Sequence, residues 1–350
     1  MPKKSDKQTS TRPKSSAKAG KGKNKKTASA NSRGGAAVVD PPASKKKSSS
    51  ANKDVAKKSG AKKSAAKSTH AERKRADRLA KKAAEEKVYT AATADKHELY
   101  ELSVQSPEED VKFIRRTYKA IRGKQAKHLR EDFSGTALLA SHWIRRTDNT
   151  AEGFDIDEDT VGWGIERNFA PLGDVASRCT LHLKDVREPS NQKPDVRVAL
   201  NFSYCLFKER KVLVDYMRGA QEDLAEDGIF ILDIHGGPEA MEEMEEDREI
   251  EEGFDYVWDQ DRYWPATGDY KCYIHFEFED GTRMEKAFAY DWRLWGLPEV
   301  VDCLKDAGFS KVDTYWEGTD EDGESGDGNF RRKKKGENCL SWISYVVCEK

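Results

Sequence analysis

The sequence has 350 residues and a net charge of −1, but its charges are strongly separated along the chain. Residues 1–90 contain 27 Lys and Arg against 7 Asp and Glu, whereas residues 91–350 contain 35 basic and 56 acidic residues. No apolar run reaches the roughly 18 to 20 residues that span a bilayer, and none follows the basic N-terminus as in a secretory signal. These features exclude the membrane and secreted classes, and we expect a cytoplasmic protein.

The first 90 residues are rich in Lys, Ser and Ala, and their first aromatic residue is Tyr89. Such a segment buries too little apolar surface to offset the entropy of ordering, so we predict a disordered basic tail with a marginal helix over 71–87. The tail is either a solubilising extension or a site of nonspecific nucleic-acid contact through counterion release. Residues 91–350 are predicted to form one folded domain with an insertion at 238–297.

From residue 107 onward, helical patterns alternate with short apolar runs, and this alternation is typical of a parallel sheet with crossover helices. Helices are predicted at 107–121, 136–146, 158–170 and 209–226, and strands at 127–131, 151–156, 179–183, 196–202 and 228–234. The sequence therefore predicts an α/β fold with a doubly wound, mostly parallel sheet.

The pattern changes after residue 236. An acidic run at 239–252 predicts a helix, and alternating aromatic segments predict a small antiparallel sheet at 254–259, 270–278 and 283–290, with a hairpin turn at Asp280-Gly281. A helix at 298–307, strands at 311–316 and 341–348, and an acidic loop at 317–329 complete the chain. We thus expect a seven-stranded main sheet with a late antiparallel strand.

Chemistry-bearing residues follow the predicted parallel strands. The first strand runs through Glu131-Asp132-Phe133-Ser134-Gly135-Thr136-Ala137 into a helix, and such a small-residue turn lets backbone N–H groups approach a ligand. Asp155 lies 20 residues after Gly135, where a carboxylate can accept two hydrogen bonds from a ribose diol. Asp185-Val186 and Asn201 follow the next two strands. All of these positions belong to the sheet edge where open α/β folds bind ligands.

Each of these positions also has a purely structural interpretation. Asp157 is predicted to cap the helix that follows it, which leaves Asp155 as the preferred ligand. Asp185 could instead serve as a cap or turn residue, and Asn201 as a strand-end turn residue. The six cysteines show no C-x-x-C pair and the seven histidines no metal-ligand spacing, so we predict reduced packing thiols and no metal site.

With these motifs, residues 98–350 resemble the class I S-adenosylmethionine-dependent methyltransferases. The resemblance places Glu131 at the acidic position of the family's first motif and implies a Rossmann-like fold in which residues 133–136 form the cofactor loop. It further implies that Asp155 binds the ribose hydroxyls, Ile156 and Val186 flank adenine, Asp185 meets the adenine amino group, and Asn201 lies near the methyl group. Phe133 and Ala137 replace the outer two glycines of the family's loop, and no catalytic base can be named.

Aromatic residues are concentrated in the predicted insertion. They form either a cage over a substrate cation or simply the core of a small sheet. The residues are Tyr256, Trp258, Tyr263, Trp264, Tyr270, Tyr273, Tyr290, Trp292 and Trp295. Two of these residues, Tyr290 and Trp292, are predicted to form a lid or acceptor pocket together with the neighbouring Arg293.

The sequence therefore predicts S-adenosylmethionine-dependent methyl transfer to an unidentified small-molecule acceptor. A nicotinamide-dependent oxidoreductase would share the turn and the later acid, but it is expected to carry G-x-G-x-x-G, a spacing that Phe133 and Ala137 interrupt. A noncatalytic nucleic-acid-associated protein, in which the tail binds and the domain serves as a scaffold, is the other alternative.

The charge of the tail yields the first prediction. Removing residues 1–90 should abolish salt-sensitive retention on DNA or heparin columns, because the excess of positive charge is lost. Cofactor affinity and melting temperature should remain nearly unchanged, and a large loss of thermal stability would contradict an independent tail.

Overall fold

The computed structural model describes residues 88–319 and 326–350, and the predicted tail helix at 71–87 lies outside them. The helices are α1 (Lys96–Val104), α2 (Pro107–Arg122), α3 (Leu138–Trp143), α4 (Glu158–Gly164), α5 (Arg210–Asp223) and α6 (Leu297–Asp306). The first strands are β1 (His128–Asp132), β2 (Thr150–Asp155), β3 (Cys179–Leu183), β4 (Val196–Ala199), β5 (Ile229–Gly236) and β6 (Met244–Ile250). The chain continues with β7 (Phe254–Trp264), β8 (Asp269–Phe278), β9 (Arg283–Arg293), β10 (Lys311–Thr319), β11 (Gly326–Arg332) and β12 (Trp342–Glu349).

The main sheet has the strand order β11-β10-β12-β5-β4-β1-β2-β3. Strands β3, β2, β1, β4 and β5 are parallel, and β12 inserts antiparallel between β5 and β10. This arrangement confirms the predicted doubly wound, mostly parallel sheet with a late antiparallel strand. The sheet has an eighth strand, because β11 adds to its edge within the segment that the sequence predicted to be an acidic loop at 317–329.

Strand β5 shows how an interior strand of this sheet can be almost entirely apolar. Ile229 and Ile231 pack into the cluster of α2 and α3 on one face of the sheet, whereas Phe230, Leu232 and Ile234 pack into the cluster of α5 and α6 on the other. Helices cover both faces, so both sets of alternating side chains are buried. This burial accounts for the continuous apolar run that the strand shows in the sequence.

The insertion forms a second sheet with the order β6-β7-β8-β9, entirely antiparallel. Its last hairpin turns at Asp280-Gly281 as predicted, with Gly281 at φ 79°. The predicted acidic helix at 239–252 is wrong, because this segment contains a short 3-10 turn and then β6. β6 pairs with β7 along seven residues and leaves most of its acidic side chains exposed, so strand pairing outweighs the local preference for a helix.

Two further segments differ from the predictions. Helix α1 was not predicted at all, and the predicted helix at 158–170 is α4 followed by a π turn at Ile165–Phe169 and 3-10 turns at Ala170–Arg178. None of the helices in the described part of the chain is long and apolar enough to cross a membrane.

The predicted domain boundary at residue 91 separates Tyr89 from the core to which it belongs. Tyr89 is only 6% exposed and contacts the ring of Phe254 edge to face, with centroids 5.4 Å apart. It belongs to the same buried cluster as Leu99 and Phe276. The folded region therefore includes Tyr89. Removal of residues 1–90 should thus lower the melting temperature, contrary to the sequence-based expectation, and a truncation that spares the stability of the domain has to end before Val88.

A pair of truncated chains tests this correction. A chain beginning at Val88 should melt close to the full-length protein, whereas one beginning at Ala91 should melt several degrees lower. Loss of a buried aromatic side chain costs about 3 kcal/mol, which lowers the melting temperature of a domain of this size by several degrees. Equal melting temperatures in differential scanning calorimetry would contradict a stabilising role for Tyr89.

Candidate active site at the carboxyl edge of the parallel strands

The turn after β1 is built from alternating left-handed residues. Phe133, Gly135 and Ala137 have φ angles of 54°, 52° and 54°. Residues with a Cβ atom disfavour this conformation by about 1 kcal/mol each, so Phe133 and Ala137 adopt it at a cost in conformational free energy. The loop therefore keeps the backbone of a glycine-rich turn although only its central residue is glycine.

Two glycines outside the loop allow its neighbours to approach closely. A Cβ atom on Gly164 of α4 would lie 2.3 Å from the carbonyl oxygen of Thr136, and one on Gly153 of β2 would lie 3.0 Å from Oγ of Ser134. The first contact is too short for a real side-chain carbon, and the second would require Ser134 to shift. The loop is thus held between the second strand and the helix that follows it.

Asp155 ends β2 and contacts the loop directly. Its Oδ2 accepts a hydrogen bond from the backbone N–H of Gly135 at 2.7 Å, and its Oδ1 accepts from the N–H of Asp157 at 3.0 Å. Asp157 is the N-cap of α4, as predicted, because its Oδ1 accepts from the N–H of Thr160 at 2.8 Å. This backbone hydrogen bond holds the pKa of Asp157 below its usual range. Asp155 thus contacts the loop, whereas Asp157 caps the helix.

A buried ionic network lies directly beneath the loop. Asp132 accepts hydrogen bonds from Nε of Arg130 and Nε of Arg197, each at 2.7 Å, and from the hydroxyl of Tyr216 at 2.7 Å. Both guanidinium groups also contact Oδ2 of Asp223 at 3.2 Å. Two arginines and two aspartates thus balance their charges where the side chains of Arg130 and Arg197 are almost fully buried. The network was not predicted, although Arg130 and Arg197 inside apolar strands were a visible signal.

The same arginines hold the segment after β3. The carbonyl oxygen of Val186 accepts from Nη2 of Arg130 and Nη2 of Arg197, both at 2.7 Å. The side chain of Val186 is 5% exposed and packs in the hydrophobic core, so it does not present a surface that could contact adenine. Asp185 forms an ion pair with Arg187 at 2.6 Å, and Ile156 is 77% exposed. The structure does not bring Ile156, Asp185 or Val186 into the cavity lining described below.

Asn201 and Phe202 form a strained turn after β4, with φ angles of 57° and 56°. Asp233 of β5 fixes this turn, because its two carboxylate oxygens accept from the N–H of Asn201 at 2.8 Å and from that of Phe202 at 2.9 Å. Burial raises the pKa of Asp233 to about 7, against the opposing effect of these two bonds. Sequence analysis missed Asp233, and an acid inside the apolar run of β5 was the signal.

Glu131 joins the first strand to the following helix. Its Oε2 accepts from the N–H of Ala140 at 2.9 Å, and burial raises its pKa to about 8. The residue lies in a small recess beside Asn201 and Gln105 rather than in the cavity that the loop borders. The arrangement gives Glu131 a role in anchoring α3.

The cavity that the loop borders has a volume of about 490 Å³. It brings together the loop, the end of β2, Asn201 and the predicted lid residues Tyr290 and Trp292. Its lining includes Phe133, Ser134, Gly135, Thr136, Asp155, Asp157, Thr160, Asn201, Ser203, Tyr290 and Trp292. Arg293 is not part of this lining, because its guanidinium group lies over the ring of Trp295 and donates to the carbonyl of Lys208.

Helix α1 supplies a wall of the cavity that the sequence did not predict. His97, Tyr100 and Gln105 line it from this side. Glu101 ties the helix to the loop, because its Oε1 accepts from Oγ1 of Thr136 at 2.5 Å and from Nδ2 of Asn168 at 2.7 Å. The segment before α2 is thus part of the site.

A second cavity of about 230 Å³ lies beside the first, against the antiparallel sheet. Tyr100, Asn201, Tyr290 and Trp292 line both cavities. Tyr256 and Trp258 contribute to the second cavity, whereas Tyr270 and Trp295 are buried in the core. The aromatic cluster of the insertion therefore serves both as cavity wall and as core.

Two glycines of α4 provide a matched test of the close contact at the loop. Gly164→Ala should destabilise the protein by about 1 to 3 kcal/mol in urea unfolding, because its Cβ meets the Thr136 carbonyl. Gly162→Ala faces open space in the same helix and should be neutral or stabilise by up to about 1 kcal/mol. Equal effects of the two substitutions would show that the loop does not depend on this contact.

No protein-family model and no curated protein matches the sequence. Among solved structures, the chain is similar to an S-adenosylmethionine-dependent methyltransferase from Clostridium acetobutylicum ATCC 824, at 15% identity and a TM-score of 0.53 over 72% of this chain and 96% of that one. It is also similar to CalS10, an amino pentose methyltransferase from Micromonospora echinaspora, at 15% identity and a TM-score of 0.53 over 75% and 98%. The sugar N-methyltransferase KedS8 from Streptoalloteichus sp ATCC 53650 matches at 15% identity and a TM-score of 0.50 over 75% and 96%. The described part of the chain therefore has the Rossmann-like fold of the S-adenosylmethionine-dependent methyltransferases.

Proposed function

We propose that this protein transfers a methyl group from S-adenosylmethionine to a small-molecule acceptor. The observation that carries the proposal is the junction of the two cavities at Asn201, Tyr290 and Trp292. One cavity is bounded by the loop and Asp155, and the other is bounded mainly by aromatic side chains. A cofactor in the first cavity and an acceptor in the second would meet at this junction.

Two groups in the first cavity suit a nucleoside ligand. Asp155 keeps both oxygens fixed by backbone N–H groups, and each oxygen has a further lone pair with which to accept from a ribose diol. The buried Oε1 of Gln105 has no hydrogen-bond partner among the described residues. An unpartnered acceptor in the wall of the cavity favours a ligand that carries N–H or O–H donors.

S-adenosylmethionine would supply an electrophilic methyl group: a lone pair of the acceptor would attack the methyl carbon in line while its bond to sulfur breaks and S-adenosylhomocysteine leaves. The protein's part is to hold the reactants in register, which can account for much of the acceleration of such a reaction. Asp233 serves this purpose by fixing Asn201 and Phe202 at the junction. Tyr290 and Trp292, whose ring centroids lie 4.3 Å apart, line both cavities where the reactants would meet.

The acid at the end of β2 gives a direct test. Asp155→Ala should weaken S-adenosylmethionine and S-adenosylhomocysteine binding about 30- to 100-fold in calorimetric titration. This estimate corresponds to roughly 2 to 3 kcal/mol for a lost bidentate, charge-assisted contact. Titration with NAD in parallel separates methyl transfer from the oxidoreductase alternative.

Asp157→Ala is the matched control, since this residue caps α4. It should lower the free energy of unfolding by about 1 kcal/mol and leave cofactor affinity much less affected. If Asp157→Ala lost binding while Asp155→Ala bound normally, the ribose contact would belong to Asp157 and not to Asp155. A wild-type protein that binds neither cofactor would refute the proposed function.

A further inference from the structure

His235 stands at the carboxyl end of β5, in the wall of the aromatic cavity. Its ring lies against Phe202, with centroids 4.6 Å apart, and near Tyr270 at 6.1 Å. Its Nε2 is buried, and among the described residues it has no hydrogen-bond partner. Leaving a buried polar atom unpaired is costly, so such an atom in a cavity wall points to a ligand that pairs with it.

The imidazole of His235 is uncharged at neutral pH. Burial lowers its pKa to about 4, because the surroundings disfavour the imidazolium form. A neutral imidazole always has one ring nitrogen with a free lone pair. Among the described residues, no side-chain hydrogen bond determines which of the two nitrogens of His235 carries the proton. The ring can therefore accept a hydrogen bond from a bound molecule.

The side-chain amide of Gln260, another polar group of the cavity, is already engaged. Nε2 of Gln260 donates to the carbonyls of Glu239 and Glu242, each at 2.9 Å, and its Oε1 accepts from the Tyr270 hydroxyl. His235 is thus a free polar group in a wall that is otherwise largely aromatic. Its ring contacts Phe202, which follows Asn201 in the chain, and Asn201 lines both cavities.

The charged residues that line the cavity are acidic. Glu239 and Glu246 lie in its lining, and none of the described lining residues is Lys or Arg. Tyr100, Tyr256, Trp258, Tyr290 and Trp292 present aromatic surface to the same space. Aromatic rings and carboxylates both favour a nitrogen that can carry positive charge over a carboxylate or phosphate.

We propose that the aromatic cavity binds a small aliphatic amine whose N–H donates a hydrogen bond to the His235 imidazole. Only the uncharged amine has a lone pair with which to take the methyl group, so the proton of its ammonium form passes to solvent before the reaction. A volume of about 230 Å³ accommodates a ring of six or so atoms with its amino group. This inference rests on the proposed function, and it names the chemical class of the acceptor.

The test uses the full chain saturated with S-adenosylhomocysteine and three probes that share a cyclohexyl ring and differ in their polar group. Cyclohexylamine, cyclohexanol and cyclohexanecarboxylate are titrated into it by calorimetry. Cyclohexylamine should bind more tightly than the other two. Equal or tighter binding of cyclohexanol or cyclohexanecarboxylate would overturn the assignment to an amine.

His235→Phe keeps the ring and removes the nitrogens. It should weaken cyclohexylamine on the order of fivefold, the worth of one neutral hydrogen bond, and should melt no lower than the wild type because an unpaired buried atom is removed. His142→Phe on α3 is the matched control, since His142 is also half-buried but does not line the cavity. Unchanged cyclohexylamine affinity in His235→Phe would overturn the role of His235.

A measurement on the wild-type protein avoids any dependence on folding of the variants. The ¹⁵N resonance of a ring nitrogen of His235 should move on addition of cyclohexylamine, and an unmoved resonance would overturn the hydrogen bond. Failure to bind S-adenosylhomocysteine refutes the proposed function itself. Binding of S-adenosylhomocysteine without binding of cyclohexylamine refutes only the present inference.

Discussion

The site depends on the burial of Asp132 between two arginines. Arg130 and Arg197 lie on neighbouring parallel strands, and without the carboxylates two buried positive charges would repel each other in a medium that screens them poorly. Asp132 and Asp223 neutralise them, and each contacts both arginines. Since the loop begins at the next residue, the pairing fixes the start of the loop as well as the register of the two strands.

This constraint explains how a loop with a single glycine keeps its shape. Phe133 and Ala137 adopt left-handed backbone angles at a local cost, and such strain persists where the surroundings determine the conformation. Asp132 fixes one end of the loop, and Asp155 binds its centre. At the other end of the loop, Glu101 accepts a hydrogen bond from Thr136, and Gly164 allows α4 to approach the backbone of Thr136. The family's outer glycines are therefore dispensable here because tertiary contacts hold the backbone in place.

The late antiparallel insertion changes what the edge of the sheet can bind. A doubly wound sheet alone offers the cleft outside its strand ends. The insertion places Tyr290 and Trp292 across this cleft, where the two residues line both cavities. Because α1 closes the same region through Tyr100, the second cavity is lined by segments before and after the parallel core as well as by Asn201, Phe202 and His235 at the strand ends.

The sequence by itself determined the alternation of strands and helices, the late antiparallel strand, the loop after β1 and the positions of Asp155 and Asp157. These features follow from local periodicity and from the rule that ligands bind at the carboxyl ends of parallel strands. Only the tertiary structure decided that the acidic segment after residue 241 is a strand, since its partner β7 supplies the hydrogen bonds. It also decided that Val186 is core, that Arg293 lies outside the cavities, and that His235 has an unpaired nitrogen in a cavity wall. Burial and pairing between residues far apart in the chain leave no periodic pattern, and so only the folded chain reveals them.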